Sequence, residues 1–143
     1  MADRNDQLKQ VPLFSDLNQR QLKRVGRDFR DRWFKPGTSI VRQGEMSGIG
    51  FFIITEGEAS VVVDGREVAR LGPGDHFGEL ALISEGTRAA TVTAETRLEC
   101  LELTIWDFRR VAKTSPDISW KLLQYVVGLL SDEQAYARLA KTS

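Results

Sequence analysis

The chain has 143 residues, enough for one domain around one hydrophobic core. Its 20 basic and 20 acidic residues cancel, so no net field draws it to nucleic acid, and no apolar run is long enough to span a bilayer. Cys100 and His76 are the sole cysteine and histidine, which excludes an intramolecular disulfide and a zinc centre of the usual kind and argues against triad catalysis.

A reducing cytoplasm is the expected setting, and Met1–Asp6 lacks the apolar segment of a secretory signal. The first predicted element is a helix over about 18–31. Asn18 followed by Gln21 has capping-box spacing, and Leu22, Val25 and Phe29 recur with helical period. Arg20, Lys23, Arg24 and Arg27 form its opposite face, for which solvation is the plain reading.

Over about 34–103 the punctuation changes to Pro36-Gly37, Gly44, Gly57, Asp64-Gly65, Pro73-Gly74 and Gly86. Between these turns lie short β-branched and aromatic runs: Ser39–Val41, Phe51–Ile54, Ser60–Val63 and Ala90–Thr93. Such spacing predicts a mainly β unit, an antiparallel sandwich or barrel with flanking helices. Asp64-Gly65, between Val61–Val63 and Glu67–Ala69, predicts a tight hairpin. His76 falls in the Pro73–His76 turn and is read as a solvated loop residue, Met46 as a loop residue without chemistry, and Cys100 as a small core residue.

Helix returns over about 104–140. Trp106–Val111 makes a short helix, then Ser115 can cap and Pro116 can open a longer one. That helix carries two apolar stripes: Ile118, Leu122, Val126 and Leu129, and Trp120, Leu123, Val127 and Leu130. A helix lying on a barrel needs one stripe, so the second is either buried by a hinge of the same domain or offered to a partner helix, with a homodimer the commonest closed solution. Gly128 within it signals either close packing or a weak point.

The chemistry gathers between Phe77 and Val92. Gly78 permits a backbone approach that a side chain would block. Glu79–Leu82 can make a helical turn whose free N–H groups favour an anion. Arg88 offers a planar fork for two phosphate oxygens, and ionised Glu79 is an acceptor for a sugar hydroxyl. The same two residues can instead pair with each other as a partly buried salt bridge, and chemistry alone leaves both readings open.

Phe77-Gly78-Glu79-Leu80-Ala81, a short loop and Arg88-Ala89-Ala90-Thr91 together resemble the phosphate-binding cassette of cyclic-nucleotide-binding domains. Domains of this family occur in the regulatory subunits of cAMP-dependent protein kinase and in the catabolite activator protein. The similarity runs in order from Pro12-Leu13-Phe14 through Gly44-Glu45, Phe52–Ile54, Gly57-Glu58 and Gly72–Asp75 to Ser115–Asp117.

The resemblance implies a single domain built on an eight-stranded antiparallel jelly-roll β-barrel, with an N-terminal helix and C-terminal helices. It implies that Arg88 clamps the exocyclic phosphate, Glu79 accepts from the ribose 2′-hydroxyl, and backbone groups at Gly78, Leu80, Ala81 and Ala89 complete the cradle. Val61 and Val68 are candidates for the wall near the base, or ordinary core; Gln134 or Tyr136 are candidates for the cap, or ordinary solvent-facing helix. Ala89, where cGMP-preferring relatives often carry Thr, matches the cAMP type, with cGMP the other candidate.

The resulting expectation is a cAMP-binding sensor without metal or catalysis, acting on a homodimer partner or a regulated effector. Alternatives are an interaction domain of the same fold with another ligand or none, a cupin enzyme, and a DNA-binding regulator. One histidine argues against the cupin. A DNA-binding regulator of this kind carries a helix-turn-helix after the long helix, and with the sequence given to Ser143 the expectation is a stand-alone sensor or a fragment of a larger regulated protein.

Overall fold

The computed structural model describes residues 4–46, 50–84 and 86–131, with the backbone alone at Leu80. Two helices, α1 (Arg4–Lys9) and α2 (Gln19–Gly26), flank a 3-10 turn at Pro12–Phe14. Eight strands follow: β1 (Arg30–Phe34), β2 (Ser39–Val41), β3 (Gly50–Glu56), β4 (Ala59–Val63), β5 (Arg66–Leu71), β6 (His76–Phe77), β7 (Thr91–Ala94) and β8 (Leu98–Thr104). A second 3-10 turn, Glu79–Leu82, lies between β6 and β7, and α3 (Ile105–Thr114) and α4 (Pro116–Leu130) close the described chain. No helix among the described residues is long and apolar enough to cross a membrane.

The strands pair antiparallel in two four-stranded sheets, ordered β1-β8-β3-β6 and β2-β7-β4-β5. This is the jelly-roll order expected from the resemblance. Asp64 and Gly65 both take positive φ, 51° and 79°, as a two-residue hairpin between β4 and β5 demands.

Strand β3 explains the layering. Its side chains alternate between two interiors, so its first five residues, Gly50–Ile54, are all buried. Phe52 and Ile54 face the space between the sheets, with Val61, Phe77, Val92, Leu98 and Cys100. Phe51 and Ile53 face the helices, packing with Leu13, Phe14, Leu22, Phe108, Ile118 and Leu122. Each fully buried side chain of this size contributes about 1.5–3 kcal/mol. Cys100 is the core residue expected, its thiol pushed up to about 12 mainly by burial.

The Asn18 capping box forms in both directions: Asn18 accepts from the Gln21 N–H, and the Gln21 side chain accepts from the Asn18 N–H, each at 2.9 Å. Gln21 also donates to Asp117 at 2.8 Å and accepts from Lys121 at 2.8 Å, which ties α2 to α4.

Several expectations need correction. The helix anticipated to about residue 31 stops at Gly26, because Arg30–Phe34 pairs with β8 as the first strand. Phe29 is still buried, but beyond the helix. Ser115 precedes α4 without a side-chain cap; instead its carbonyl accepts from Ile118 and Ser119. A Cβ at Gly128 would meet nothing within 4 Å, so close packing does not explain that glycine. Ile118, Leu122 and Leu129 are buried, while Trp120, Leu123, Val127 and Leu130 of the second stripe are exposed.

Candidate functional site

Strand β6 splits its two side chains between the two interiors. Phe77 stacks on Phe52 between the sheets, centroids 5.0 Å apart, while the His76 ring lies 5.7 Å from Phe51 on the helix side. His76 is therefore a largely buried strand residue, not the solvated loop residue expected. Pairing of Ile53 with His76 draws it out of the turn.

The chain then turns at Gly78, where φ is +87°. A Cβ there would stand 2.5 Å from the Gly50 carbonyl oxygen and 2.8 Å from Arg88 Nη1. Only glycine suits both the conformation and the approach. Behind it, Glu79–Leu82 forms the short helical turn read from the sequence, but the Ala81 N–H donates to the Gly78 carbonyl at 3.0 Å. That amide is thus already used inside the turn, unlike the free donors expected of it.

Arg88 is 4% exposed, and its Nη2 donates to the Gly50 carbonyl at 3.0 Å. Burial lowers its pKa. Its backbone is pinned on both sides: Arg88 N–H donates to the Glu45 carbonyl at 2.8 Å, and the Arg88 carbonyl accepts from Gly44 at 3.0 Å. The Gly44-Glu45 pair singled out in the sequence thus fixes the far end of the cassette. Ala90 is buried and Ala89 exposed.

Glu79 is 1% exposed and turns toward the helices. Its Oε1 accepts from the Leu13 N–H at 2.5 Å. Among the described residues its Oε2 is buried without a hydrogen-bond partner, as is His76 Nδ1, and the two atoms stand 3.9 Å apart. Burial pushes Glu79 up to about 7, against the opposing pull of the Leu13 bond. Burial likewise lowers the His76 pKa, partly offset by Asp75. Tyr125 of α4 is raised to about 12 by burial first and by Glu79 second.

No ion pair joins Glu79 and Arg88, which removes the salt-bridge alternative. The structure brings the two to one Gly78 turn, with Glu79 on the Leu13 N–H and Arg88 on the Gly50 carbonyl. Val61 is fully buried between the sheets, whereas Val68 is 52% exposed on β5 and is not core. Gln134 and Tyr136 lie outside the described residues. Leu13, Gly50, His76 and Tyr125 were not anticipated around the cassette. Only Leu13 had a signal, within Pro12-Leu13-Phe14, because a backbone carbonyl such as that of Gly50 leaves no mark in sequence. A cleft of about 630 Å³ lies elsewhere, on the outer face of β1, β3 and β8, with Arg4, Trp33, Glu56 and Glu99 among its lining and no cassette residue.

A family model described as the cyclic nucleotide-binding domain matches residues 31–115. The cAMP-dependent protein kinase regulatory subunit of Yarrowia lipolytica is 38% identical over 106 residues, covering 73% of this chain and 28% of that protein. The N-terminal domain of a transcriptional regulator from Streptomyces coelicolor A3(2) superposes with a TM-score of 0.77 at 29% identity, over 90% of this chain and 94% of that one. The regulatory domain of Toxoplasma gondii PKA, co-crystallised with cAMP, gives a TM-score of 0.66 at 33% identity, over 76% of this chain and 42% of that one. The chain thus spans under a third of the curated relative's length.

Proposed function

The chain belongs to the cyclic nucleotide-binding domain family, and on that premise we propose that it is a regulatory module whose ligand is cAMP. Arg88 clamps the cyclic phosphate in this reading, and Glu79 accepts from the ribose hydroxyl. Gly78, Leu80, Ala81 and Ala89 supply the surrounding backbone, with Val61 as apolar wall. One observation carries it: a carboxylate 1% exposed, with one oxygen unbonded, shares a glycine turn with a deeply buried guanidinium. A fold retains such desolvated groups where a ligand uses them. Ala89, without a hydroxyl, favours adenine over guanine, and no catalytic step or metal belongs to the proposal.

Because Glu79 contacts the turn at Leu13, which shares a core cluster with Tyr125 of α4, ligand capture has a route to the helices. Re-packing of α4 and the N-terminal segment is the proposed output. The ligand shifts that equilibrium only by its differential affinity for the two arrangements. The exposed stripe on α4 supports a homodimer partner or a regulated effector. A cytoplasmic setting fits the free thiol at Cys100.

A second reading keeps the fold and assigns another ligand or none. It draws on the Glu79–Leu13 and Ala81–Gly78 bonds, which already engage two groups of the cradle. Titration of cAMP and cGMP by calorimetry, with mass from light scattering, decides. The proposal expects saturable binding with cAMP the tighter, and absence of heat and thermal shift with both nucleotides rejects it.

A further inference from the structure

We propose that His76 is a positioning residue for Glu79, the pair sharing one proton that capture of a nucleotide displaces. The proposal rests on the cyclic-nucleotide reading and adds to it a residue outside the cassette pattern.

Two buried atoms have no hydrogen-bond partner among the described residues. Glu79 Oε2 and His76 Nδ1 stand 3.9 Å apart, too far for a hydrogen bond and too close for independence. Buried polar atoms left unbonded are expensive, and here one proton serves both. A protonated Oε2 donates to the neutral imidazole at Nδ1 after a shift of about 1 Å, to normal hydrogen-bond length. Remove the proton and, with the imidazole in its Nε2–H tautomer, two acceptors face each other, so the carboxylate needs a new donor. A ribose hydroxyl is such a donor. On binding, therefore, the proton leaves the pair for solvent while the sugar O–H takes its place at Glu79.

Among the described residues, no other neighbour supplies this proton. The Pro12–Phe14 turn offers only the Leu13 N–H, already bonded to Oε1. Strand β3 contributes apolar Phe51, and Arg88 donates to Gly50 rather than to Glu79. On α4 the nearby titratable group is Tyr125, held protonated through neutral pH. Helix α3 adds Phe108 and Val111 to the shared core; its Asp107 pairs with Arg110 at 3.2 Å, and Arg109 is exposed. Asp75, beside His76, raises the imidazole's affinity for a proton without reversing the effect of burial.

The free pair takes its proton near the pH of about 7 to which burial brings Glu79, and a carboxylate accepting from a sugar releases it. Below that pH cAMP affinity falls by up to about tenfold per pH unit, and above it the profile flattens. Because His76 is the sole histidine, its imidazole proton resonances identify themselves without assignment.

The test uses the full chain. In nucleotide-free protein, Glu79→Gln is expected to move the midpoint of the His76 titration; an unchanged midpoint overturns the proposal whether or not any nucleotide binds. Calorimetry of cAMP in buffers of different ionisation enthalpy is expected to show up to one proton released per cAMP below pH 7. His76→Gln, which offers the carboxylate a non-titrating N–H, is expected to flatten that release and the pH profile of affinity. Binding of cAMP without proton release, or a profile unaltered in His76→Gln with an unchanged melting temperature, overturns it. Failure of both cAMP and cGMP to bind removes the functional reading on which it rests and rejects the displacement step.

Discussion

Replacing Arg88 with alanine separates the role of this residue in the fold from its role toward a ligand. In the free protein the guanidinium is 4% exposed and donates to the Gly50 carbonyl at 3.0 Å. Losing that donor costs about 1–3 kcal/mol if the carbonyl stays buried. Relief of a desolvated cation works in the opposite direction, as its lowered pKa indicates. Net destabilisation should therefore be about 1–3 kcal/mol, moving the melting temperature by several degrees. Toward the cyclic phosphate nothing compensates. A buried phosphate deprived of its guanidinium loses about 2–5 kcal/mol, roughly 30-fold to several thousand-fold in affinity. Lysine should recover part of this as a point charge without the fork. Calorimetry on Arg88→Ala, beside a melt of the free protein, reads both effects. Wild-type affinity for cAMP in a folded variant would refute the assignment of Arg88.

Three further outcomes are expected. Gly78→Ala should destabilise by at least about 2 kcal/mol, since φ of +87° and a 2.5 Å approach to the Gly50 oxygen both exclude a Cβ; denaturant unfolding at wild-type midpoint would contradict the close approach. Because burial raises Glu79 from 4.5 to about 7 in the folded state, its stabilisation is complete below about pH 4.5 and is lost as pH rises through 7, by roughly 3 kcal/mol. Glu79→Gln should remove that slope, and an identical pH–stability curve in the variant would show the carboxyl to be solvated. Leu123→Glu with Val127→Glu, at side chains 53% and 56% exposed, should leave the melt nearly unchanged while lowering the mass seen by light scattering if copies pair along α4; unfolding instead would mean the stripe is core.

Much of the fold was legible because it rests on local chemistry. The capping box at Asn18 and Gln21 satisfies helix N–H groups that any helix start exposes, so its spacing could be read directly. The hairpin at Asp64-Gly65 was legible for the same reason, since only a few residues accept positive φ in succession. The two stripes of α4 were also legible, though which one faces the core depends on Phe108 and Leu22, residues remote in the chain. Strand β1 was missed because Arg30-Asp31-Arg32 is charged, and pairing with β8 overrides its weak propensity.

Residue order alone placed a glycine where the backbone folds left-handed, an acid beside it, and an arginine nine positions on. These are intrinsic properties of conformation and charge, and they travel with the chain. Tertiary structure alone decided what each group meets. It turned Glu79 to the Leu13 N–H and the helix side, set Arg88 against the Gly50 carbonyl, and buried His76 next to an unbonded carboxylate oxygen. Desolvation and hydrogen-bond geometry depend on atoms brought together from 38 and 66 residues away, and no local pattern encodes them.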